Sequence, residues 1–138
     1  MIQSTAKARL SLVLAATLGI ATVVVPSVAA FAHAELLVST PAVGNTLYSS
    51  PKSVTLTFDD DLIDMQGSNQ IVVKDPRHRR VDVGSSLLQG SKLSVQLRKL
   101  TVLGKYEVSY HVISNDGHPV TSQFPFYLGK KAAKKPKG

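Results

Sequence analysis

The stretch "KYEVSYHV", Lys105 to Val112, decides how the chain is read, because apolar and polar residues alternate through it without a slip. Tyr106, Val108, Tyr110 and Val112 fall on one side, and Lys105, Glu107, Ser109 and His111 on the other. Successive side chains of an extended backbone point to opposite faces, so this pattern is that of a strand with one face buried. The same period recurs outward in both directions. "SVTLTF" places Val54, Leu56 and Phe58 together, "KLSVQL" places Leu93, Val95 and Leu97, and "QFPFYL" places Phe124, Phe126 and Leu128. "QIVVKD" (70–75) and "ELLVS" (35–39) read as two further strands. Turn formers separate these runs at "PAVGN", "MQGSN", "KDPRH", "LLQGS", "LGK" and "NDGHP". No segment carries a helical stripe. Short strands at this spacing predict an all-β fold, a small seven-strand antiparallel Greek-key barrel or sandwich of immunoglobulin-like type. Pro125 inside a strand pattern predicts an edge position or a bulge there.

Ahead of this β region the chain has a different composition. Lys7 and Arg9 precede the uncharged run "LSLVLAATLGIATVVV" (10–25), followed by Pro26 and "SVAAFA". A basic start, an apolar middle and an A-x-A ending is the layout of a secretory signal peptide, here residues 1–32 with cleavage after Ala32. The apolar run falls short of the about 20 residues of a full membrane span, though an uncleaved anchor is the other reading. Removal of the signal leaves one domain, 33–129, and a tail, 130–138.

The chain has no cysteine, so an exported domain must hold together without a disulfide, and thiolate catalysis, zinc fingers and thiolate copper sites are excluded. The net charge of +7 suggests nucleic acid until its distribution is seen. Between residues 33 and 129 nine Lys/Arg face all nine Asp/Glu, and the excess lies in the tail "KKAAKKPKG". Such a tail is a solvated segment or a weak contact to an anionic membrane or cell wall. No basic face with interleaved aromatics supports nucleic-acid binding.

Four histidines follow the cleavage point. His78 sits among cations in a turn and His111 alternates outward on its strand, so both read as exposed. His33 becomes the first residue of the mature chain, with its α-amine and imidazole Nδ1 able to chelate one ion. "SNDGHPV" adds Asp116 and His118, which an extended backbone would put on one face, with Gly117 leaving the space before them open. Amine, two imidazoles and a carboxylate suit tetragonal Cu(II), with zinc a weaker occupant. The bland alternatives are an Asp-Gly hairpin turn and an uncut linker histidine. The acidic run "FDDDLIDM" (58–65) lacks calcium-loop spacing and reads as a solvated loop.

Both ends of this region resemble the CopC family of exported copper-binding proteins. "HAELLVSTPAVGNTL" is similar to that family's H-A-x-L-x-x-S-x-P-A start, "VTLTF" to its L-x-F strand, and "GKYEVSYHVISNDGHPVTSQFPF" to its G-x-Y-x-V-x-W-R-V-x-S-x-D-G-H-P-V signature. The resemblance implies a seven-strand Greek-key domain that binds one Cu(II) through the His33 amine and Nδ1, Asp116 and His118. It also implies copper sequestration, buffering or delivery outside the cytoplasm, in a periplasm or on an outer surface, without catalytic turnover. A monomer and a separate membrane importer go with it. Two departures stand out: Tyr110-His111 replaces Trp-Arg, and Met65 is the only methionine after residue 32, which argues against a methionine-rich Cu(I) site. The competing functions are a copper oxygenase built on an N-terminal histidine and a metal-free structural β domain.

Overall fold

A computed structural model describes residues 33–131, and within them every regular element is a strand. The signal peptide read over 1–32 and all but the start of the basic tail lie outside the described residues. The strands are β1 (Leu36–Thr40), β2 (Thr46–Leu47), β3 (Ser53–Phe58), β4 (Gln70–Lys74), β5 (Asp82–Gln89), β6 (Lys92–Leu97), β7 (Gly104–Ile113) and β8 (Pro119–Leu128). They form two four-stranded sheets, ordered β1-β3-β6-β5 and β2-β8-β7-β4. Each sheet holds one hairpin, β5–β6 or β7–β8, and the other connections cross from sheet to sheet. The all-β sandwich expected from the alternation is the fold. Among the described residues it has eight strands rather than seven, and the two-residue β2 runs parallel to β8, so the sheets are not wholly antiparallel.

The core lies between the sheets and is made by the alternating residues. Val54, Leu56 and Phe58 face Tyr106, Val108, Val112 and Phe126, all essentially without solvent contact. Phe126 stacks on its cross-strand partner Tyr106 with centroids 5.2 Å apart, and Phe58 meets Tyr110 edge-on at 5.6 Å. The Tyr106 hydroxyl donates to the Val102 carbonyl at 2.7 Å, which satisfies the one polar atom of that ring. Pro125 sits within β8 on the side facing β2. There its carbonyl accepts from Gly44 N at 2.7 Å, and β2 itself pairs only with Tyr127 and Leu128. A residue without an N–H is tolerated because no ladder acceptor stands opposite it.

The seam between the edge strands β4 and β5 is closed by side chains rather than by a ladder. Ile71 N donates to Ser86 Oγ at 2.8 Å and Val73 N to Asp82 Oδ1 at 2.9 Å. Asp82 also pairs with Arg80, and its own side chain is 1% exposed. Burial pushes the Asp82 carboxyl upward, but the Arg80 guanidinium and the Val73 N–H outweigh it and hold it below its ordinary 3.8. A carboxyl lowered on folding contributes stability above its unfolded value and loses it as pH falls through the folded one. Acid unfolding should therefore steepen below about pH 4. In Asp82→Asn the seam weakens by about 1–2 kcal/mol at neutral pH, because the charge-assisted bonds are lost. The variant's acid limb is correspondingly flatter. Thermal melts of both proteins across this pH range check it, and parallel limbs would remove Asp82 as the cause.

Candidate metal centre

One end of the sandwich brings together residues from the two extremes of the domain. On the β1 side Ala34 is buried and anchors the segment that begins at His33. Asp59, just past β3, holds this segment from two directions. Its Oδ1 accepts from Glu35 N at 2.7 Å, and its own N–H donates to the Glu35 carbonyl at 3.0 Å. His33 is thus carried two residues beyond a fixed point.

The β7–β8 connection supplies the other side. Gly117 N donates to Ser114 O at 2.8 Å and Ser114 N to His118 O at 2.9 Å, closing a tight turn directly on the hairpin pair Ile113–Pro119. The extended geometry expected for Asp116 and His118 is therefore not what juxtaposes them; the turn does. Gly117 takes φ +85°, and nothing lies within 4 Å of where its Cβ would stand, so the space before the pair is open as expected. Asp116 Oδ1 accepts from the Ser114 hydroxyl, in a short contact, and from His118 N at 3.1 Å. These two bonds to the charged form hold the Asp116 carboxyl down to about 2. Its other oxygen, Oδ2, lies 3.0 Å from His118 Nδ1. The His33 and His118 rings stand with centroids 5.7 Å apart, tilted 41°.

This arrangement fits a small ion in one specific respect. Two donor atoms bound to one ion at about 2.0–2.2 Å and at right angles are about 3 Å apart. Asp116 Oδ2 and His118 Nδ1 already have that separation. As placed, no three His, Asp or Glu side chains among the described residues form a finished metal cage. The Asp116–His118 pair is preset, and the His33 ring stands in the neighbouring position.

Neither of the other histidines joins this cluster: His78 lies at the far end of the sandwich, and His111, though only two residues from the hairpin pair Ile113–Pro119, is half-buried and held by another partner. His78 is exposed in the β4–β5 turn with φ +61°. His111 lies on the outer face of β7, where its Nδ1 donates to the Ser68 carbonyl at 2.8 Å. Two contributors escaped the sequence reading. Asp59 belongs to the acidic run read as a solvated loop, and its neighbour Asp60 accepts from Asn115 Nδ2 at 3.3 Å, tying that run to the turn. Ser114 is fully buried and orients Asp116. Its only signal was its place two residues before Asp116.

Fold and site together define a small two-sheet β domain with a histidine–carboxylate cluster at one end. A family model for the CopC domain matches residues 36–129, and the chain belongs to the CopC family. Asp116 and His118 lie inside the matched stretch, and His33 lies just before it. The chain is 31% identical over 106 residues to "Copper resistance protein C" of Xanthomonas campestris pv. juglandis, covering 72% of this chain and 83% of that one. It is 30% identical over 103 residues to "Copper transport protein CutJ" of Bacillus subtilis (strain 168). That match spans 72% of this chain but only 19% of the longer protein. Among solved structures, CopC from Methylosinus trichosporium OB3b aligns with a TM-score of 0.64 at 24% identity, over 75% of this chain and all of that one. PcoC, a methionine-rich copper resistance protein from Escherichia coli, aligns at 0.57 and 21% identity, over 71% of this chain and 100% of its own.

Proposed function

We propose that the chain is an exported Cu(II)-binding protein that sequesters, buffers or delivers copper outside the cytoplasm, in a periplasm or at an outer surface. Removal of residues 1–32 frees the His33 amine. One ion per chain is then held by that amine, His33 Nδ1, Asp116 and His118. The domain, 33–129, works as a monomeric carrier rather than an enzyme and exchanges its ion with a separate membrane importer. Carrying this reading is the meeting of His33 and His118 at 5.7 Å beside a carboxylate 3.0 Å from the second ring. Nitrogen and carboxylate donors of this kind suit tetragonal Cu(II). The names of the relatives, one a copper resistance protein and one a copper transport protein, point to the same cargo. The amine and imidazole donors must be unprotonated to hold the ion, so binding weakens as pH falls. Six carboxylates at this end, Glu35, Asp59, Asp60, Asp61, Asp64 and Asp116, draw cations toward it.

The decisive comparison is between a protein that begins at His33 and one that carries a single extra residue before it. The second form lacks the histidine amine and is otherwise identical. Followed by electron paramagnetic resonance, the first form should bind one Cu(II) with nitrogen hyperfine structure, and the second about a hundredfold or more weaker, by loss of the chelate ring. Equal affinities would remove His33 as the anchor and with it the proposed site.

A further inference from the structure

The charges of the folded domain are segregated along the strand direction. At the metal end six carboxylates accompany one cation, Lys92. The opposite end is basic. Arg77, Arg79 and Arg80 lie in the β4–β5 turn, and Arg98 and Lys99 in the β6–β7 connection. Lys52, Lys105 and the tail residues Lys130 and Lys131 surround them, all exposed. These connections are stitched together: Arg98 N donates to Val81 O at 3.0 Å, and Leu97 N to Lys52 O at 2.8 Å. Arg79, Arg80, Arg98 and Lys99 line one groove of about 230 Å³. Arg79 and Arg80 are paired with Asp75 and Asp82, whereas Arg98 and Lys99 have no carboxylate partner among the described residues. Large apolar side chains protrude among these cations. Leu103 precedes β7 and is 53% exposed, and Tyr48 follows β2 and is 61% exposed.

We infer that this basic end of the folded domain is a docking surface for an anionic phospholipid membrane. Unpaired cations supply attraction to the headgroups, each contributing a factor of about five near such a surface. Leu103 and Tyr48 supply what a soluble polyanion would not use, an apolar tip and an amphipathic ring at headgroup depth. Lys130 and Lys131 follow β8 at this same end. β7 and β8 are 10 residues long; at about 3.3 Å per residue the metal end is then held roughly 30 Å from the lipid, facing away. The inference stands apart from the copper reading and is tested on metal-free protein.

Both sheets and the core of the described residues lie within 33–131, so the chain from His33 onward folds as a unit and is the protein tested. Its co-sedimentation is measured with phosphatidylcholine vesicles with and without phosphatidylglycerol, at low and high ionic strength, and against inorganic polyphosphate. Binding is expected only with phosphatidylglycerol, and it should fade at high salt. The double change Arg98→Glu, Lys99→Glu should weaken it about tenfold or more, while Lys92→Glu at the far end leaves it unchanged. Leu103→Ser should weaken vesicle binding and not polyphosphate binding. Removing 130–138 should reduce binding without abolishing it. The inference fails if the tail deletion removes all binding while the Arg98/Lys99 change has no effect. It fails equally if polyphosphate binds as tightly as vesicles with Leu103→Ser silent on both, or if no vesicle binding occurs.

Discussion

His118→Ala is expected to lower Cu(II) affinity by at least about a hundredfold. Removing a group that merely orients a metal ligand commonly costs about 10–100-fold, so removing a ligand costs more. The fold should not notice the change. The His118 side chain is 56% exposed and meets Asp116 and the His33 ring, which places it among surface substitutions worth about ±0.5 kcal/mol. His78→Ala and His111→Ala are the controls, since His78 is exposed in a distant turn and His111 is bonded to the Ser68 carbonyl on another face. Competition against a chelator of known strength gives the dissociation constants, and a melt without metal verifies the fold. An unchanged constant in His118→Ala, or an equal loss in His78→Ala, would refute the ligand set.

The parts of this molecule that were legible in the sequence are those where one face is buried and the other is wet. β3, β6, β7 and the C-terminal half of β8 announce themselves by period two because each buries every second side chain against the opposite sheet. β5 does not. "DVGSSLLQ" has Gly84-Ser85-Ser86 at its centre and leaves most of its residues exposed. Its pairing with β6 slips between Val83 and Leu87, where Gly84 takes φ +76°. An edge strand with a bulge has no alternation to show. β2 is two residues long and exists only because the chain passes beside β8 on its way between sheets. For the site, residue types were legible and geometry was not. That "DGHP" contributes ligands could be read from its donors. That Ser114, not extended backbone, sets the Asp116 orientation depends on a turn whose hydrogen bonds no spacing reveals. The same holds for Asp59: the acidic run is exposed, as read, but no spacing reveals that the N–H of Glu35 rests on one of its carboxylates.

The largest effect on stability is expected at Phe126. Its side chain is without solvent contact and lies flat on Tyr106, directly across the β7–β8 ladder. Phe126→Ala removes that stack and leaves a cavity bounded by two sheets that are tied on several sides and cannot collapse into it, a loss of about 3–5 kcal/mol. The chain has no cysteine to cross-link its unfolded state. Against a total of about 5–15 kcal/mol, the change takes a large part of the margin and lowers the melting temperature by well over 10 °C. Phe126→Leu, which refills most of the volume, should cost far less, and Tyr127→Ala, on the outer face, little. Metal binding separates core from site. Phe126 lies eight positions along β8 from His118, roughly 25 Å at strand rise, so the cavity should not disturb the turn. Cu(II) at a fixed concentration should then stabilise Phe126→Ala by the same free energy as the parent protein, because the gain depends only on the affinity of the folded form. An equal gain in urea or thermal unfolding would show that the sandwich serves the site only by existing. A gain that vanished in Phe126→Ala would mean that the hairpin transmits core packing to the turn, and that Ile113–Pro119 pairing is too weak to fix Asp116 and His118 by itself.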